Sequence, residues 1–145
     1  MRTLYDLMLA AAKHLTGADV ILQISERKSL HAAGCVRVNP AGRIVIDLAN
    51  DYAATGSEED LHVFLHEVAH AKLHAKGFGR SNTENTALEW DKPKSKQQAG
   101  RRLLMESEAE AMANVWEHWA AKRSPEEWQN GRSVFENRLT ALLKY

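Results

Sequence analysis

The stretch that decides the fold runs from Ser57 to Lys76 and reads SEEDLHVFLHEVAHAKLHAK. Ser57 has Asp60 three positions later, and acidic residues fill the next turn, which is typical of a helix N-terminus. Gly77 follows as a stop signal. Because many residues between these ends are apolar, the sequence predicts a well-capped helix with a buried face.

This helix carries the pattern HEVAH at 66–70. His66 and His70 are four positions apart, so both imidazoles project from one face and can share a metal ion. Glu67 is placed to reach a metal-bound water and act as a general base. A catalytic zinc takes three protein ligands and a water. The HExxHxxGxxH pattern does not supply the third ligand, because Leu73 and Lys76 occupy its Gly and His positions.

The third ligand is expected from the later segment ESEAEAMAN at 106–114. Glu106 and Glu110 share a helix face, while Glu108 points elsewhere. If Glu106 binds zinc, Glu110 is placed to accept a hydrogen bond from a ligand histidine. The alternative for this acidic segment is a solvated helix face, which is common for glutamate.

Other polar residues are weaker candidates. His62 and His74 extend the histidine ladder by one step each, and the helical drift of about 40° per step keeps all four from facing one ion. We interpret His62 as a surface or outer residue. His74 is a candidate for hydrogen bonding near the site, although a structural role is commoner for such a residue. His118 and Tyr52 are candidates for stabilising an oxyanion.

Outside the HEVAH helix, the pattern predicts an N-terminal helix, three strands, a long helix and a C-terminal helix. These elements are expected at 3–16, 19–25, 34–38, 43–48, 98–122 and from Ser124 onward, with Pro125 at the first position of the last helix. The turn at 39–42 predicts a hairpin. The fold class is therefore α+β, in a single domain over 1–145 with a small, mostly antiparallel sheet. Residues 77–97 read as a long loop and a candidate lid.

Composition narrows the class of protein. The chain has 145 residues, of which 44% are apolar and 26% charged, with 19 basic and 19 acidic residues. This balance indicates neither nucleic acid nor an anionic membrane as an obligatory partner. No segment reaches the roughly 20 apolar residues of a membrane span, and the N-terminus makes a poor signal peptide, so we expect a cytoplasmic protein. Cys35 is the single cysteine and is expected to be a buried thiol.

HEVAHAKLH followed by ESEAEAMA resembles the ImmA/IrrE-like zinc metallopeptidases, a branch of the gluzincins. The resemblance implies a minimal zincin-like domain that cleaves a protein or peptide, such as a helix-turn-helix transcriptional repressor. It assigns His66, His70 and Glu106 as zinc ligands, Glu67 as base, Glu110 as the outer acid and His74 as an additional histidine. The 36-residue step from His70 to Glu106 is long for the pattern.

Two other interpretations stay open at this stage. In one, the chain is a non-catalytic interaction protein, such as an antirepressor, on a zincin scaffold. In the other, the zinc is structural and has four protein ligands. For the enzyme, the strand at 43–48 could hold an extended substrate by β-addition if it lies at the sheet edge.

Overall fold

The computed structural model describes residues 3–26, 33–53, 56–77 and 96–145. This part of the chain forms four α-helices and a three-stranded sheet, which confirms the α+β class. The elements in chain order are α1 (Leu4–Thr16), β1 (Ile21–Ser25), β2 (Gly34–Val38), β3 (Ile44–Ala49), a 3-10 turn (Asn50–Tyr52), α2 (Glu58–Ala75), α3 (Lys96–Arg123), a second 3-10 turn (Trp128–Asn130) and α4 (Gly131–Leu142).

Helix α2 begins and ends as its sequence predicts. The Ser57 hydroxyl accepts a hydrogen bond of 3.2 Å from the backbone N–H of Asp60. Gly77 adopts a φ of 84°, a left-handed conformation that favours glycine and terminates the helix. Most apolar side chains of α2 are buried, and Phe64 and Leu65 are fully so. The helix therefore lies at the centre of the domain.

The sheet has the order β1-β3-β2 and is mixed. Strands β2 and β3 form the predicted antiparallel hairpin, in which Gly42 has a φ of 82°. Strand β1 pairs with β3 in parallel, with Ile21 opposite Val45, so the prediction of a mostly antiparallel sheet is corrected for this pair. All six residues of β3 are buried. A strand that is buried on both faces belongs at the centre of a sheet, which is where β3 lies.

The central position of β3 also corrects an expectation about substrate. The strand at 43–48 was expected to hold an extended peptide if it lay at an edge. Both of its edges are already paired, with β1 on one side and β2 on the other. Its backbone hydrogen-bonding groups are therefore used within the sheet.

Helix α2 packs against β2, β3, α1 and α3, and α4 closes the domain against α1 and α3. The face of α3 toward the core carries three alanines that are fully buried, Ala109, Ala113 and Ala120. Small side chains let two helices approach closely, so α3 can bring its glutamates near α2. The larger buried side chains of the core are Met8, Ile46, Leu48, Phe64, Trp116, Phe135 and Leu139.

The C-terminal helix begins later than predicted. Ser124 and Pro125 do not start a helix, and α4 starts at Gly131. The buried guanidinium of Arg138 donates hydrogen bonds to the backbone carbonyls of Ser124 at 2.7 Å and Glu126 at 3.0 Å. These tertiary hydrogen bonds hold the backbone of residues 124–126 in an irregular conformation, and they outweigh the capping signal of Ser124 and Pro125.

The predicted loop at 77–97 is defined only at its ends. Gly77 follows α2, and residues 96 and 97 belong to α3, which therefore begins two residues earlier than expected. Residues 78–95, and with them the candidate lid, lie outside the described residues. Within the described ranges, no helix has both the length and the apolar character needed to cross a membrane.

Candidate metal centre

Helices α2 and α3 bring the three predicted ligands together. Nε2 of His66 lies 3.1 Å from Oε2 of Glu106, and Nε2 of His70 lies 2.9 Å from Oε1 of the same carboxylate. The two Nε2 atoms are 3.1 Å apart. His70 is buried and Glu106 half-exposed, so the cluster lies at the boundary between core and solvent. His70 and Glu106, which are 36 positions apart in sequence, are thus in contact in the folded chain.

The cluster fits a zinc ion in composition and in size. Two imidazoles and one carboxylate form the donor set of many catalytic zinc sites, which leave a fourth position open for water. With zinc–ligand distances of about 2.0–2.1 Å and tetrahedral angles, neighbouring donor atoms are about 3.3 Å apart. The observed separations of 2.9–3.1 Å are close to this value. The Nε2 atoms of His66 and His70 are too close, at 3.1 Å, for both to carry a hydrogen that points at the other. At least one of these two nitrogens therefore presents a lone pair.

Hydrogen bonds within the cluster shift the pKa values of Glu106 and His66 in opposite directions. Hydrogen bonds from His66 and then His70 hold the pKa of the Glu106 carboxyl far below its usual range. The hydrogen bond to Glu106 raises the pKa of His66, against the opposing effect of burial. Glu106 is therefore an anion at any physiological pH, which is the form that binds a metal. Protons on His66 compete with a metal for the same nitrogen.

Glu67 occupies a buried position beside the ligands. Only 6% of its surface is exposed, and burial raises its pKa to about 7, although the charges of His70 and His66 lower it in part. Its Oε2 atom is buried and has no hydrogen-bond partner among the described residues. A carboxyl with a pKa near neutrality can both accept and release a proton at physiological pH.

Gly34, the first residue of β2, makes room for Glu67. A Cβ atom at position 34 would lie 2.9 Å from Cγ of Glu67 and 3.1 Å from the backbone oxygen of Asp47. Real Cβ atoms essentially never approach another atom as closely as 2.9 Å, so a larger residue here would force Glu67 to shift. Gly34 was not among the predicted site residues, and its only signal in the sequence is a glycine at the start of a strand.

Glu110 and His62 form a second contact between α2 and α3. Oε2 of Glu110 lies 3.7 Å from Nδ1 of His66, near the position predicted for an outer acid but beyond hydrogen-bond distance. Its shortest contact is with His62, whose Nε2 lies 2.5 Å from Oε1 of Glu110. Nδ1 of His62 lies 2.8 Å from Oε2 of Glu117. His62, expected at the surface or outside the site, is two-thirds buried and links two acidic side chains, Glu110 and Glu117.

The remaining candidates lie in different surroundings. His74 is buried one turn after His70. Tyr52 ends the first 3-10 turn and packs, partly buried, against Cys35 and Ala49. Cys35 is a buried free thiol, as expected.

The structure does not bring His118 to the cluster. It lines an open groove on the outer side of α3 with Asn114, Val115, Trp119, Lys122 and Arg123. It follows Glu106 by 12 positions, which places it about 18 Å farther along the helix axis. Its predicted role as an oxyanion stabiliser at this site is therefore not supported by its position.

Comparison of the chain with protein-family models, with curated proteins and with solved structures finds no match. The functional argument therefore depends on the residues and geometry of the cluster. The resemblance to ImmA/IrrE-like peptidases rests on the two motifs alone.

Proposed function

We propose that this protein is a zinc-dependent peptidase, with zinc held by His66, His70 and Glu106 and with Glu67 as the general base. The observation that carries the proposal is the convergence of the three donors beside a buried carboxyl. A structural zinc site with four protein ligands would have no use for that carboxyl, because burying an unpaired acid costs stability. A site that performs hydrolysis needs it.

Zinc, Glu67 and Gly34 would have separate roles in the reaction. The chemistry that zinc supplies in such a site is Lewis-acid activation of water and of the substrate carbonyl. Glu67 accepts a proton from the attacking water and then passes it to the leaving amine. Gly34 leaves the space that the Glu67 side chain occupies, since a Cβ atom at position 34 would lie 2.9 Å from Cγ of Glu67.

The position of β2 supports a peptide as substrate. In the described part of the sheet, β2 is an outer strand, and its first residue contacts Glu67. An extended peptide can add to an outer strand through backbone hydrogen bonds. A peptide bound along β2 would pass beside the general base. We propose β2, in place of the central strand β3, as the strand that receives the substrate.

By resemblance to the ImmA/IrrE-like family, the substrate would be a cytoplasmic regulatory protein, such as a helix-turn-helix repressor. This choice rests on analogy, since similar folds serve different functions. It sets the order in which substrates should be tried: an unfolded general substrate first, then DNA-binding regulators.

The test is peptide hydrolysis by the zinc-loaded protein and by Glu67→Gln. Both would be incubated with unfolded casein and a mixed peptide library, and the products read by mass spectrometry. We expect cleavage by the wild type and at least a 100-fold loss in Glu67→Gln with zinc retained, because removing a general base costs about 10²–10⁴ in rate. Glu108→Gln, an exposed change on α3, is the matched control and should leave cleavage intact.

Equal cleavage by wild type and Glu67→Gln would contradict the assignment of the base. Tight zinc binding without cleavage of any substrate, including repressors, would instead favour the non-catalytic interaction protein. In that case, Glu67→Gln should still bind and sequester its partner.

A further inference from the structure

We propose that His62, Glu110 and Nδ1 of His66 form a second site for a divalent metal ion, next to the first. One nitrogen of each histidine and one carboxylate oxygen lie within 4.8 Å of one another. The proposal goes beyond peptidase activity and does not require it, because it concerns only what these side chains bind.

The contact between His62 and Glu110 is the first observation. Nε2 of His62 and Oε1 of Glu110 are only 2.5 Å apart, yet this buried oxygen has no hydrogen-bond partner among the described residues. The two atoms belong to different helices and are an imidazole nitrogen and a carboxylate oxygen, which are donor types that divalent transition metals bind.

The second observation is the role of Glu117. Its Oε2 lies 2.8 Å from Nδ1 of His62, so Nδ1 is the nitrogen that carries the proton and donates it to the carboxylate. Histidines that bind metals usually donate their other ring N–H to a carboxylate in this way, which fixes the tautomer and the ring orientation. Nε2 of His62 then faces Glu110, and a metal ion bound there would displace any proton that this nitrogen shares with the carboxylate.

The third observation concerns His66. Its Nδ1 is buried, has no hydrogen-bond partner within the described ranges and lies 3.7 Å from Glu110. Nε2 of the same ring faces the first cluster. One imidazole therefore presents a nitrogen to each site, and occupancy of the second site removes the Nδ1 proton of His66. The second ion should bind more weakly for that reason.

The donor set defines the class of ion. Two imidazole nitrogens with one carboxylate suit zinc, copper, nickel or cobalt in the divalent state, and not calcium or magnesium, which prefer oxygen donors. About a third of the His62 side chain and half of the Glu110 side chain are exposed, so an ion can enter from solvent.

The experiment is equilibrium dialysis of the full chain against buffered Zn²⁺, with bound metal counted at each free concentration. We expect two equivalents in the wild type, the second at least tenfold weaker than the first. His62→Gln should lose only the weaker equivalent, and Glu106→Gln only the tighter one. His118→Gln replaces an exposed histidine on the groove side of α3 and should keep both.

NMR of the histidine ring nitrogens in the wild type tests the same proposal without any substitution. The first equivalent should shift Nε2 of His66 and His70, and the second should shift Nε2 of His62. A single equivalent in the wild type, or a second equivalent that survives in folded His62→Gln, would overturn the proposal. So would a His62 ring that stays doubly protonated between Glu110 and Glu117 at saturating zinc.

These outcomes separate the two proposals. Loss of the weaker equivalent in His62→Gln supports the second site even if no peptide is cleaved. Cleavage with one equivalent of zinc supports the peptidase even if the second site is absent.

Discussion

Replacing Glu67 by glutamine should stabilise the metal-free protein at neutral and alkaline pH while abolishing hydrolysis. Glu67 is 6% exposed, and burial raises its pKa from the ordinary 4.5 to about 7. A group whose pKa is raised on folding contributes stability below its unfolded pKa and loses it as the pH rises through the folded value. Between pH 4.5 and 7 the wild type therefore loses stability, because charging this carboxyl in the core is costly.

The magnitude follows from the two pKa values. At about 1.4 kcal/mol per pKa unit, the difference between 4.5 and about 7 corresponds to about 3 kcal/mol at pH 8. Glutamine has nearly the same shape and cannot ionise. The free energy of unfolding of Glu67→Gln, minus that of the wild type, should therefore rise by about 3 kcal/mol between pH 4.5 and pH 8.

The assay is urea unfolding in a chelating buffer at several pH values, followed by circular dichroism. Glu108→Gln, on the exposed side of α3, should track the wild type throughout. If the difference between Glu67→Gln and wild type were flat with pH, or fell as the pH rose, the inference of a costly buried carboxyl beside the metal ligands would be refuted.

Four substitutions, three at glycines and one at a helix cap, give further predictions. Gly131→Ala should destabilise the protein by several kcal/mol despite the gain in helix propensity, because its Cβ would overlap the backbone oxygen of Gly56. Gly100→Ala, with open space around it, should stabilise α3 by up to about 1 kcal/mol. Equal shifts of the thermal unfolding midpoint in the two variants would contradict this. Gly34→Ala should displace Glu67 and lower kcat at least tenfold with zinc still bound; wild-type kcat would show that the close approach has no role. Ser57→Ala should cost about 1 kcal/mol in urea unfolding through loss of the α2 cap, and no change would refute the capping role.

The sequence predicted the features that depend on local signals. Helix α2 has its N-cap at Ser57, its terminating glycine at Gly77 and its apolar face between them. Each of these features could therefore be predicted from the local sequence alone. The choice of Glu106 over Glu108 followed from helical periodicity, and the structure places Glu106 within 3.1 Å of both histidines.

Features that depend on distant contacts were not predictable in this way. The direction of β1 relative to β3 is not encoded in apolar alternation, which is the same for parallel and antiparallel pairs. Ser124 has a capping sequence, but Arg138 binds its carbonyl from 14 positions away. Gly34 and His62 matter through the approach of β2 and α3 to α2, which no local pattern reveals.

The most direct test of the zinc centre is metal analysis of the purified protein after dialysis against a buffer that holds free zinc low. Wild type and Glu108→Gln should each retain one zinc per chain, and Glu106→Gln should retain almost none, because it loses one of three ligands. Full zinc occupancy in folded Glu106→Gln would contradict the ligand set of His66, His70 and Glu106.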